Sequence, residues 1–452
     1  MNMDRHCPWC GWLLFFFPIT AVLSTYLLPI PLPGFYLYPY RMLIIVALLV
    51  PFFLMRISWW HALPAQLYVL LGLFWLSWGV LSLFWTPDVE AAWREMVHVG
   101  LGFAAGVGLL NLAADSPAGL CALRWGWVGA YAVTAAIALW ELATGQHLPG
   151  DFAASAPPEV LRRVVMSTFV NPNNYGAFLL LAFPLLLWAY QEARRPLHRW
   201  GLALLLLGLP CLLILTASRL ALLGILVQVA VFAVLMGWRR PLRMRYAVMA
   251  LAVLGIGLSW AAQTNALLIH KLLSLLEGEV ASGGSLAVRI NLTLNGLYLL
   301  WQSGGFGVGA GGFEWMMEQG LAPYPTRQFV NPHNFWIEIA SQYGAFVLVL
   351  FVLWLLVIGI MAWRILQGAN WRILTPHHRM AVVVIVGLVG YVFAALAPSS
   401  YMGQLTNWLF LGTLLAMAVH LTAWTTVPVL AQEGGETVDA TRHHLSPSVA
   451  DS

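Results

Sequence analysis

Largely uncharged apolar stretches of about 20 residues recur along this chain from one end to the other, and each can cross roughly 30 Å of hydrocarbon as a helix. They centre on residues 12–28, 40–55, 66–85, 93–113, 121–143, 174–190, 200–215, 220–237, 246–262, 335–363, 380–397 and 405–424. In lipid a backbone must satisfy its own hydrogen bonds, so runs of this length become α-helices. Of the 452 residues, 61% are hydrophobic and 9% charged, against about 25% charged in soluble domains. No water-soluble fold of this size covers that much apolar surface. The sequence therefore predicts an all-α integral membrane protein of about twelve transmembrane helices, forming one bundle over 1–424. A polar tail over 425–452, rich in Glu, Thr, Ser and His, is expected to be cytoplasmic and disordered. The first run, Trp12–Leu28, ends in a proline-rich segment without a small-x-small cleavage site, so it reads as a retained helix and not a signal peptide.

Arginine placement orients the bundle. One set of alternate loops holds Arg56, Arg124, Arg194, Arg195, Arg199, Arg239, Arg240, Arg243, Arg245, Arg364, Arg372 and Arg379, and the opposite short loops hold almost none. The positive-inside rule puts the first set and both termini in the cytoplasm. Two outer segments are long: Thr144–Asn173, and Gln263–Pro332 between the ninth and tenth spans. Long loops in compact folds are often functional. Within the second, leucines from Leu267 to Leu276 are interleaved with polar residues at helical spacing, which suits a helix lying on the membrane surface.

The net charge of +4 forms no basic run of the kind that binds nucleic acid. Cys7-Pro-Trp-Cys10 has redox or metal spacing, but it lacks a second CxxC and a βαβ context, so no role is assigned to it.

Ionisable groups at membrane depth are costly and mark function. Arg219 opens the eighth span, and the outer loops add Arg162, Arg163, Arg289 and Arg327, with His147, His270 and His333. Guanidinium groups and a histidine on one face can bind a diphosphate and handle a proton. Snorkelling or ion pairing explains an isolated arginine equally well. Asn171-Pro172-Asn173-Asn174 and Asn331-Pro332-His333-Asn334 each precede an apolar span, and helix capping accounts for much of both, though not for His333. The segment Gly304–Gly312 holds six glycines in Gly304-Gly305-Phe306-Gly307-Val308-Gly309-Ala310-Gly311-Gly312. It reads either as a backbone nest for an anion or as a set of tight turns.

These residues together resemble the O-antigen ligase/polymerase superfamily. His333-Asn334 with Gly344 eleven positions after the histidine resembles that family's hallmark, and Gly307–Phe313 resembles the segment before it. Ser218-Arg219 and Asn171-Pro172-Asn173 resemble two further elements, in the family's order. Gln342 departs from the pattern, since the family often has an acidic residue there. The resemblance extends to about Trp424. It implies a glycosyltransferase of the C type in the bacterial inner membrane, with its active site on the periplasmic face. The expected reaction moves O-antigen from undecaprenyl diphosphate to lipid A–core oligosaccharide, with inversion and without metal or cofactor. It also implies His333 as general base, Arg219 and Arg289 as charge stabilisers, and Arg162, Arg163, Asn334, Asn171 and Asn173 as substrate-binding residues. O-antigen polymerase and protein O-oligosaccharyltransferase share the signature. A secondary transporter is the distant alternative, disfavoured because the polar groups lie on one face and no repeated halves are evident.

Overall fold

A computed structural model describes residues 8–27, 30–32, 35–54, 59–169, 171–237, 285–369, 371, 373–396, 398 and 400–433. The chain is an all-α membrane protein. Helices α1 (Pro8–Leu23) and α2 (Pro39–Leu54) flank a short antiparallel hairpin of β1 (Ile30–Leu32) and β2 (Phe35–Leu37). There follow α3 (Leu63–Ser82), α4 (Val89–Ala113), α5 (Pro117–Thr144), the short α6 (Asp151–Ser155) and α7 (Pro158–Leu161), then α8 (Pro172–Glu192), α9 (Pro196–Leu215) and α10 (Arg219–Gly237). The last set is α11 (Ser285–Gln302), α12 (Gly312–Glu318), α13 (Phe335–Gln367), α14 (Pro376–Ala394) and α15 (Leu405–Glu433). Among the described residues, eight helices are long and apolar enough to cross a membrane: α3, α4, α5, α9, α10, α13, α14 and α15. Helices α1 and α2 carry shorter apolar runs. The expected span at 246–262, the amphipathic stretch at 265–276 and Cys7 lie outside the described residues.

Helix starts are written in the sequence as cap-and-proline pairs. Ser116 and Asn171 accept a hydrogen bond from a first-turn amide of α5 and α8, and Pro117 and Pro172 follow them. Thr375 does the same before Pro376. Proline costs nothing at this position because its missing N–H would have no partner there.

Small residues let the helices approach. A Cβ on Gly102 of α4 would lie 2.2 Å from the Trp408 ring of α15, and one on Gly106 would lie 2.1 Å from the Tyr68 hydroxyl of α3. Close backbone approach is the main source of helix association in lipid, where no hydrophobic drive separates protein from solvent. Buried polar groups add specificity. Gln228 of α10 donates to the carbonyls of Leu180 (3.2 Å) and Val386 (3.1 Å), joining α10 to α8 and α14. Helix α8 is buried at every residue from Asn174 to Ala189, so protein and not lipid surrounds it.

The bundle has two distinct ends. At one, Arg379 donates to Glu192 at 2.8 Å, and the His377 and His420 rings stack. At the other, Trp85 Nε1 donates to the Gly307 carbonyl (3.1 Å), the Val165 amide to Leu215 (3.1 Å) and the Phe335 amide to Ala395 (2.8 Å). The second end carries the residues singled out above.

Candidate functional site

The glycine segment is a structural insert. Helix α13 breaks at Gly344 (φ 87°, ψ 171°), and the segment threads against the break. Val308 N donates to Ser341 O (2.8 Å), Gly309 N to Gln342 O (3.0 Å) and Ala345 N to Gly305 O (2.9 Å). Ser303 Oγ takes the Gly307 amide (2.9 Å), Ser82 Oγ the Ala310 amide (3.0 Å) and Gln342 Oε1 the Gly311 amide (2.5 Å). Amides that an anion nest would need are thus already committed, which decides between the two readings of this segment. A Cβ on Gly307 would sit 2.5 Å from Gln342 O, and one on Gly311 2.6 Å from the Ala91 carbonyl carbon. Gln342 also donates from Nε2 to Glu95 at 3.4 Å. A carboxylate at position 342 has no proton for that second bond, so the departure from the family pattern is matched by its surroundings.

The two Asn-Pro motifs turn out to be different devices. In the first, Asn171 is the cap of α8, accepting from Asn174 N at 3.0 Å, and Pro172 is the first helical residue. In the second the helix begins three residues later. Asn334 is the cap of α13, accepting from Trp336 N (3.1 Å) and Ile337 N (3.4 Å). Pro332 is therefore in the loop, and His333 takes a left-handed backbone (φ 49°) just outside the cap. That conformation costs a non-glycine residue on the order of 1 kcal/mol or more, so the surroundings must enforce it.

Three expected site residues from separate segments are electrostatic neighbours in turn, Arg219 of Arg289 and Arg289 of His333: Arg219 from the first turn of α10, Arg289 from the first turns of α11 and His333 from the loop before α13. Burial and then the charge of Arg219 lower the affinity of Arg289 for its proton. Burial and then the charge of Arg289 push the His333 imidazole down to about 4. His333 is therefore neutral at physiological pH. Its Nδ1 is buried without a hydrogen-bond partner among the described residues, and its ring meets Phe329 edge-on at 6.1 Å. Two guanidinium groups beside a neutral imidazole can stabilise a polyanion and accept a proton in one place.

Arg162 and Arg163 stand exposed just after α7, and no contact among the described residues ties them to these three. Asn173 is half-buried in the first turn of α8. The loop that bears the arginine pair is moored by Glu141, which sequence reasoning passed over. Glu141 accepts from Met166 N (2.9 Å) and Ser167 N (2.8 Å) and pairs with His147 (3.0 Å). His147 is thereby a loop anchor. Arg327 is exposed and left-handed (φ 50°).

Glu338 was also passed over. It is 2% exposed, one turn into α13, and accepts from Ser400 Oγ and from Tyr401 N (3.0 Å), so it fastens the α14–α15 loop beside the His333 turn. The available signal was a lone carboxylate inside an apolar span. Among the described residues, no group of three or more His, Cys, Asp or Glu is placed to hold a metal ion.

A bundle of apolar helices with cationic side chains and a neutral histidine at one end defines a polytopic membrane protein. The family described as O-Antigen ligase matches residues 202–352, which contain Arg219, Arg289 and His333. The teichuronic acid biosynthesis protein TuaE of Bacillus subtilis is 25% identical over 402 residues, covering 85% of this chain and 79% of that protein. The middle third of the chain is thus similar to the O-antigen ligase family, and most of its length to one relative from a glycan-biosynthesis system.

Proposed function

We propose that this protein transfers a glycan from undecaprenyl diphosphate to lipid A–core oligosaccharide at the periplasmic face of the inner membrane. The observation that supports this most directly is the meeting of Arg219, Arg289 and His333 within electrostatic range. Arg219 and Arg289 hold the diphosphate and neutralise the charge that builds as it leaves. An acceptor hydroxyl attacks the anomeric carbon on the face opposite the diphosphate. Its proton passes to His333, the new C–O bond forms, and the bond to phosphate breaks with the electron pair leaving on undecaprenyl diphosphate. Displacement from the opposite face inverts the anomeric centre. Arg162, Arg163 and Asn173 lie within the proposal as contacts to the glycan or its carrier, without metal or cofactor.

A second reading is glycan polymerisation, which shares the superfamily signature and needs the same diphosphate site. Attachment of a glycan to protein uses the same chemistry with a different acceptor. Deletion of the gene separates the readings. Loss of a ligase leaves long polymer on the carrier lipid and lipid A–core uncapped. Loss of a polymerase leaves single repeat units, some still transferred to lipid A–core, and that outcome removes the ligase assignment.

A further inference from the structure

The backbone around His333 does not hold its shape by local preference. Arg327, Gln328 and His333 are all non-glycine residues with positive φ (50°, 72° and 49°), within seven positions. Each such residue costs on the order of 1–3 kcal/mol and persists only where its surroundings over-determine it. The surroundings here are three side chains from outside the loop, which hold it at its two ends. Asn295 of α11, fully buried, makes a two-way amide pair with Tyr324: Nδ2 donates to Tyr324 O at 2.8 Å, and Oδ1 accepts from Tyr324 N at 2.9 Å. One turn earlier on the same helix, Asn291 donates to Pro325 O at 2.8 Å. At the other end of the loop, Asn331 Nδ2 donates to the Glu314 carboxylate of α12. The helix that supplies Asn291 and Asn295 also carries Arg289.

We propose that Asn295 and Glu314 are positioning residues that clamp the His333 loop at both ends and keep the imidazole in register with Arg289. The inference rests on the reading of His333 as the base, but its geometry does not. The two bonds at Tyr324 require a side chain that donates and accepts at once, which asparagine does and aspartate does not. The bond at Asn331 requires only an acceptor at position 314. Misplacement of a reacting group by about 1 Å costs on the order of 100-fold in rate, so loss of either anchor reads out in turnover.

The test uses full-length protein in detergent, with an undecaprenyl-diphosphate-linked glycan as donor and lipid A–core as acceptor. It adds a second readout that needs no turnover: the rate at which diethyl pyrocarbonate modifies His333, followed by mass spectrometry of the peptide that contains it. Glu314→Ala and Asn295→Asp are expected to lower kcat about 10- to 100-fold, with donor binding retained and the rate of His333 modification changed. Glu314→Gln keeps an acceptor and restores both readouts. Asn331→Asp sets two carboxylates against each other and is expected to be severely impaired. Adding Glu314→Gln to it rebuilds the bond with donor and acceptor exchanged, and recovers activity. Unchanged turnover and unchanged His333 modification in Glu314→Ala overturn the clamp. So does a double variant no better than Asn331→Asp, and these arms stand even if Asn295→Asp fails to fold. Full activity in His333→Ala removes the base assignment instead, while the modification rates still decide the clamp.

Discussion

Gly344 lies against the carbonyl of Gly305 so closely that a Cβ on Gly344 would stand 2.6 Å from that oxygen. The contact joins the break in α13 to the glycine segment after α11, and the peptide after Gly344 donates back to the same carbonyl at 2.9 Å. At φ 87° and ψ 171°, Gly344 occupies a region open essentially to glycine alone.

Gly344→Ala is therefore expected to destabilise the protein by more than the roughly 1–3 kcal/mol of backbone strain alone, because a steric clash is added. Gly320, also left-handed (φ 67°), has nothing within 4 Å of the corresponding Cβ, so Gly320→Ala should cost only about 1 kcal/mol. Thermal unfolding of the two variants in one detergent gives the comparison. Equal losses would show that the break in α13 tolerates a side chain.

The cationic pair predicts a steep and specific loss. Arg219→Ala and Arg289→Ala should each reduce kcat on the order of 100- to 1,000-fold, the cost of removing one preorganised charge-stabilising group. Arg219→Lys should recover little, since a point charge does not reproduce bidentate phosphate contact. Turnover of purified protein in excess EDTA is expected to persist. Full activity of Arg219→Ala, or EDTA inhibition reversed by one divalent ion, would reject this account of the diphosphate site.

The pH dependence follows from His333. A general base works in its neutral form, and burial with Arg289 alongside keeps the imidazole neutral down to about 4 in the free protein. Activity limited by this group rises with pH through about 4 and is flat above it. A bound diphosphate brings negative charge beside Arg289, which raises the affinity of His333 for a proton. The acid limb of kcat should therefore lie at higher pH than that of kcat/KM. Arg289→Gln should move the kcat/KM limb upward as well. Coincident limbs, or a His333→Ala variant that loses donor binding while turning over bound donor normally, would make His333 a phosphate ligand instead.

Asn171 and Asn334 allow capping and substrate binding to be told apart. Aspartate keeps the side-chain acceptor that each helix start uses, while alanine removes it at a cost of about 1 kcal/mol. If capping is the whole role, Asn334→Asp and Asn171→Asp should retain stability and near-normal activity. An aspartate variant that is stable but inactive would assign the lost amide N–H, or the added negative charge, to the substrate site.

The face of the membrane is open to direct labelling. In a variant lacking Cys7, Cys10, Cys121 and Cys211, a single cysteine at position 327 should react with an impermeant thiol reagent in intact spheroplasts. One at position 195 should react only after lysis. The reverse pattern would place the Arg219–Arg289–His333 group on the cytoplasmic side.

Much of this protein is decided by local sequence alone. The length of the apolar runs set helices at Leu63–Ser82, Val89–Ala113, Pro117–Thr144 and Phe335–Gln367, because the hydrogen-bond demand of lipid leaves such segments no other form. Ser116-Pro117, Asn171-Pro172 and Thr375-Pro376 marked starts through chemistry confined to neighbouring residues. Arg219, Arg289 and His333 were legible as unusual, since charge and histidine stand out in an apolar chain. Tertiary structure decided what periodicity cannot carry. The look-alike motifs at Asn171 and Asn331 diverge because Asn334 caps α13 and leaves His333 outside the helix in a left-handed turn. The glycine segment proved to be an insert because its amides find Ser82, Ser341 and Gln342, which lie far away in sequence. Glu314, Asn295 and Glu338 gain meaning only from Asn331, Tyr324 and Ser400, their partners across loops. Apolar length and capping are properties of a segment. A buried polar contact is a property of two segments, and the sequence writes only one of them at a time.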